Sequence, residues 1–190
     1  MYYFIKKTIL LIMLTLYISP IQASKHITTK MQTMRGGPDY FQDSQPPDFS
    51  LVDSNGKTKT LKDYLGRKVI LCFFDILHAN DSEIIKQLRA LQGAYQQLQI
   101  CSIDVIIITP TTTKILDEIN RIHNFPFTFL LDEQKSVPSR YGAIEYGYVT
   151  QSTLILNEQG IVVATVLSNE ASDHLTEIFF YALRQAKATS

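Results

Sequence analysis

From Val69 through Phe74 the chain reads Val69-Ile70-Leu71-Cys72-Phe73-Phe74 without a polar residue. A run of that length is too short for a buried helix and suits a strand covered on both faces. A second apolar run extends from Ile103 to Ile108 and stops at Thr109-Pro110, where proline ends a central strand. Between the two runs the period changes. Ile84, Leu88, Leu91, Tyr95 and Leu98 recur at threes and fours, the spacing of one helical face. Asn80 with Glu83 three residues on forms a capping box, so the pattern predicts a helix from about Asp81 to Gln97. Two buried strands joined by one helix become parallel neighbours through a right-handed crossover.

The flanking segments extend this unit. Phe49 to Val52 alternates, Asp53-Ser54-Asn55-Gly56 supplies turn chemistry, and Thr58 to Leu61 completes a predicted hairpin. Ile115, Ile119 and Ile122 mark a second helix; Phe125 to Leu131 reads as extended and Ser136 to Tyr141 as a short helix. Thr153 to Leu156, the turn Asn157-Glu158-Gln159-Gly160 and Ile161 to Leu167 form a second hairpin. A last helix carries Leu175, Ile178, Phe179, Ala182 and Leu183 on one face. This order predicts an α/β domain with a mixed central sheet and helices on both faces.

The start of the chain has a different character. Lys6 and Lys7, the apolar run Ile9 to Ile18 and then Ser19-Pro20-Ile21-Gln22-Ala23 have the layout of a secretory signal, with cleavage expected after Ala23. Residues 1–23 are therefore read as a signal peptide, 24–47 as a flexible leader rich in Gly36-Gly37-Pro38 and Pro46-Pro47, and 48–187 as one domain. Export to a periplasm or to the outside follows, with membrane contact only through the signal before its removal. The 18 basic residues balance the 18 acidic ones and no basic run occurs, which argues against nucleic acid and leaves another protein as the expected partner. Two cysteines cannot staple a domain of this size. In parallel register Cys101 lies several residues below Cys72, and at ~3.3 Å per residue the gap exceeds the ~7 Å reach of a disulfide.

Several segments resemble the peroxiredoxins, the alkyl hydroperoxide reductase and thiol-specific antioxidant branch of the thioredoxin superfamily. These are Pro46-Pro47-Asp48-Phe49-Ser50-Leu51-Val52-Asp53-Ser54-Asn55-Gly56-Lys57, Leu61 to Leu71, Phe125 to Asp132 with Tyr141-Gly142, and Ser152 to Asn157 with Gly160. The resemblance implies a thioredoxin-like fold and a thiol peroxidase site. In that family a cysteine thiolate at a helix N-terminus reduces peroxide, helped by a threonine, a proline and a distant arginine. Laid on this chain, the proline falls on Asp75, the threonine on Ala79, the cysteine on Ser82 and the arginine on Gln151. Against the Cys-x-x-Cys pair of thioredoxins, the matching positions are His78 and Asp81, and Gln151 again stands at the proline before the last hairpin.

A serine with no base beside it is a poor attacker of a peroxide oxygen, and dithiol exchange needs two sulfurs. The reading is thus a non-catalytic binding or accessory module with a degenerate site. Its alternative is a thiol-based antioxidant oxidoreductase working through Cys101, at the start of the second core strand, or through Cys72, which an apolar strand makes inert. His78, Asp81 and Asp75 form a thin ligand set, so neither metal nor cofactor is expected. Tyr141, Tyr146 and Tyr148 are expected to pack on the sheet edge.

Overall fold

A computed structural model of the chain describes residues 41–76 and 82–167. The signal segment, most of the leader and the last expected helix lie outside the described residues. In chain order the elements are β1 (Ser50–Asp53), β2 (Thr58–Thr60), a 3-10 turn (Leu61–Tyr64), β3 (Lys68–Phe73), α1 (Ser82–Ile100), β4 (Ile103–Thr109), α2 (Thr113–His123), β5 (Thr128–Leu131), α3 (Ser136–Arg140), β6 (Ile144–Glu145), β7 (Tyr148–Val149), β8 (Ser152–Leu156) and β9 (Val162–Leu167).

The two apolar runs occupy the middle of a seven-stranded sheet of order β2-β1-β5-β4-β3-β8-β9. β3 and β4 are parallel, with Lys68 opposite Ile103 and Cys72 opposite Ile107. β5 adds to β4 in parallel, whereas β8 joins β3, and β1 joins β5, antiparallel. Alternation along β3 sends Ile70, Cys72 and Phe74 to one core and Val69, Leu71 and Phe73 to the other. On the first face Leu88, Leu91 and Leu98 of α1 and Leu116 and Ile119 of α2 cover the sheet. On the second, Leu61 and Val137 of α3 pack with Tyr141. The result is the mixed sheet with helices on both faces of a thioredoxin-like domain.

Three boundaries differ from the sequence pattern. α1 continues to Ile100 because the Cys101 amide still finds Gln97 O and Leu98 O, and the chain turns only at Ser102, which takes φ 56. Leu61 leaves the first hairpin for the 3-10 turn, where the Thr60 amide donates to Asp63 Oδ2 at 2.7 Å and holds that carboxyl below its ordinary value. Only Thr128–Leu131 of the extended stretch is strand, while Phe125 and Phe127 stack at 5.8 Å between centroids in the first core.

The sheet edge at β9 is partly covered from the N-terminal side. Gln42 bridges Val162 in parallel; the Asp43 amide donates to Val162 O at 2.9 Å and the Val162 amide to Ser44 O at 3.0 Å. Gln42 Nε2 adds a bond to Val163 O at 3.1 Å. An edge shielded by even a short partner is less available to foreign strands.

Candidate functional site

Ligands of open α/β sheets bind beyond the carboxyl ends of the parallel strands. Here those ends are Phe73 of β3, Thr109 of β4 and Leu131 of β5, and the residues just past them converge on one pole of the domain. The buried Thr109 hydroxyl oxygen accepts from the amides of Ile76 and Thr111, each at 3.4 Å, tying the β3 and β4 exits together. Asp75 leaves β3 with its side chain only 12 % exposed. Its Oδ2 accepts from Lys135 Nζ at 3.5 Å and from the Val149 amide at 3.3 Å; Oδ1 is buried and has no partner among the described residues.

Lys135 reaches this carboxylate because it precedes α3 in a left-handed conformation, φ 54. Asp132 fixes that corner, its carboxylate accepting from the Val137 amide at 2.7 Å and from Ser136 Oγ at 3.0 Å. The Lys135 ammonium also donates to Gly147 O at 3.0 Å and lies 5.6 Å from the centre of the Tyr148 ring. Gly147 belongs to the tight turn between β6 and β7, where Tyr146 (φ 50) and Gly147 (φ 83) are both left-handed, as a two-residue turn of this hand requires.

Ser82 is the first residue of α1, as the family alignment predicts for the cysteine position. Gln151 lies just before β8 and accepts a bond at 3.1 Å from Nε2 of the buried Gln87 of α1. Asp75, Gln151 and the start of α1 therefore share one pole. Ala79, His78 and Asp81 lie outside the described residues, as does the Asn80 half of the capping box. The tyrosines divide, contrary to the expectation that all pack on the sheet edge: Tyr141 is fully buried, but Tyr146 and Tyr148 are 91 % and 65 % exposed. The two-residue turn lifts the latter pair away on a separate hairpin. Sequence reasoning missed Lys135 and Gln87, because a lysine before a helix and a glutamine within one carry no signal of what they meet.

The two thiols sit elsewhere. Cys72 is buried in β3, where burial pushes its thiol from the ordinary 9.0 up to about 12, only partly offset by the Thr153 hydroxyl, which donates to the sulfur at 3.5 Å. Cys101 is half-buried and follows the C-terminus of α1, with its amide bonded to Gln97 O and Leu98 O. At ~1.5 Å per helical residue it stands about 28 Å along the helix from Ser82, at the opposite end from the free amide donors of the first turn. Thiol titration of the native protein is expected to modify Cys101 and to reach Cys72 only after denaturation; rapid modification of both would contradict the burial. The Cys72 shift also has a stability consequence. The folded thiol stays protonated while the unfolded one ionises, so this contribution is full below 9.0 and is lost as pH rises through about 12. Cys72→Ala is expected to flatten that part of an alkaline denaturation profile.

The sequence profile of the AhpC/TSA family matches residues 43–165. A Coxiella burnetii protein provisionally named peroxiredoxin bcp is 24 % identical over 140 residues, covering 70 % of this chain and 91 % of the relative. The chloroplastic peroxiredoxin Q of Triticum aestivum is 28 % identical over 123 residues, 63 % of this chain and 55 % of that one. Among solved structures, peroxidoxin BcpB from Mycobacterium tuberculosis superposes with a TM-score of 0.68 at 18 % identity, covering 76 % of this chain and 96 % of its own.

Proposed function

Because this chain belongs to the AhpC/TSA family, we propose that it is a peroxiredoxin-like protein that has kept the fold and turned the old active-site pole to binding, as a non-catalytic accessory module outside the cytoplasm. One observation carries the reading. Neither thiol lies at the N-terminal end of α1: that position is Ser82, Cys72 is sealed in β3, and Cys101 is at the opposite end of the helix. The positive end of a helix dipole lowers a thiol pKa and readies it for attack, and no cysteine here has that help. Export rests on the layout of residues 1–23, and the partner expected in that compartment is another protein.

A thiol-based antioxidant acting through Cys101 is the second reading, favoured by the partial exposure of that sulfur and by relatives that are named peroxiredoxins. Peroxide consumption with an external thiol supplied, run on wild type, Ser82→Cys, Cys72→Ala and Cys101→Ala, separates the two. Wild type is expected to give no turnover above the thiol alone. Ser82→Cys is expected to react with one equivalent of peroxide at least about tenfold faster than wild type, as a thiol placed at a helix N-terminus should. It should remain slow in family terms, since Gln151 is no arginine. Wild-type turnover that vanishes in Cys101→Ala would replace the binding reading with the antioxidant one.

A further inference from the structure

The Lys135 ammonium is held as a ligand would be held. It meets a nearly buried carboxylate oxygen, Asp75 Oδ2, a backbone carbonyl, Gly147 O, and the Tyr148 ring. A carboxylate with an aromatic face and a carbonyl is the chemistry that recognises an organic cation. Lysine fills the cage incompletely, because Asp75 Oδ1 is buried and has no partner among the described residues. An ammonium is a point donor that engages one oxygen; a guanidinium is a planar fork that engages both. Beyond the cage the hairpin presents Glu145, Tyr146 and Tyr148 to solvent, an acidic and aromatic rim continuous with it. Asp132, which shares the corner, is already satisfied by Val137 and Ser136 and does not compete.

We propose that Asp75, the Gly147 carbonyl and Tyr148 form a binding site for an arginine side chain of a partner polypeptide, and that Lys135 is its built-in competitor. The arginine would displace the ammonium, pair through both oxygens of Asp75 and lie along Tyr148, while Lys135 swings to solvent. A tethered competitor acts at an effective concentration on the order of millimolar, so the free protein binds weakly and a partner must bring further contacts to open the cage. The inference rests on the reading of the chain as a binding module and names what that module binds.

The test is a titration with N-acetyl-arginine-N-methylamide, and with its lysine counterpart, followed by the amide resonances of Gly147 and Val149. Wild type, Lys135→Met, Lys135→Ala and Lys135→Met with Asp75→Asn are compared. Lys135→Met keeps the alkyl stem and removes the competitor; it is expected to bind the arginine probe about tenfold more tightly than wild type. Arginine is expected to exceed lysine, and Asp75→Asn to abolish the response. Wild type folds whatever the variants do and should show the same two amides moving at higher probe concentration. Flat titrations in wild type and in a folded Lys135 variant would overturn the proposal, as would binding indifferent to Asp75→Asn or a lysine probe that binds as well as arginine. Peroxide turnover would sink the binding-module reading on its own evidence; flat titrations with no turnover would remove only the arginine site.

Discussion

Tyr141→Ala is expected to lower the unfolding free energy by about 3–5 kcal/mol, the range for truncating a fully buried aromatic. Its ring lies between Phe41 and Phe73, 5.5 Å from each centroid, and its hydroxyl donates to Pro47 O at 2.5 Å. Burial also holds the phenol well above its ordinary pKa, so it stays a donor throughout the working pH range. The side chain therefore joins the segment before β1, the β3 core and the end of α3 in one contact set. Tyr141→Phe separates the parts: the ring remains, only the hydrogen bond is lost, and about 1 kcal/mol is expected. Urea unfolding of the three proteins at a common slope measures both steps. A loss below about 1 kcal/mol for the alanine variant would show that this joint is not a stabilising centre.

Asp132→Ala is the next largest, with an expected loss of about 2–3 kcal/mol. Asp132 is 4 % exposed and its carboxylate satisfies the Val137 amide in the first turn of α3 at 2.7 Å; its removal strands that buried donor. The effect should also travel. Lys135 owes its left-handed turn to this corner, so Asp132→Ala is expected to loosen the contact of Lys135 with Gly147 and to raise amide exchange at Val149 more than at Ile106 of β4. Equal exchange at both positions would mean that the corner does not steer the lysine.

The parts of this architecture that depend on period were legible in the residues themselves. The apolar runs around Cys72 and Ile107 and the threes and fours of α1 allow only one local structure each, and the crossover rule then sets their neighbours. The apolar period and the Asn80–Glu83 pair put a helix start at about Asp81, the family resemblance matched Ser82 to the cysteine position, and Ser82 opens α1. What escaped was set by tertiary contact. The end of α1 escaped because its last turn is held by backbone bonds, the Cys101 amide to Gln97 O and Leu98 O, which a side-chain period does not report, and the β6–β7 hairpin escaped because Tyr146 takes a left-handed conformation that no propensity favours. The Asp75–Lys135 pair joins positions 60 residues apart, and nothing in either neighbourhood announces the other.

The strip of chain at Gln42–Ser44 that shields β9 also has a place in time. Gln42 and Val163 are 121 residues apart, so the first described residues are made long before the strand they cover. At a synthesis rate of ~5–20 residues per second, the interval is roughly 6–24 s. β1 faces a shorter form of the same delay, since its antiparallel neighbour β5 begins only at Thr128. Through that window the emerging chain carries β3 and β4, the two central core strands, before either the β8 or the β5 side of the sheet can close. A polypeptide ordered this way gains little from folding before β8 and β9 have both emerged.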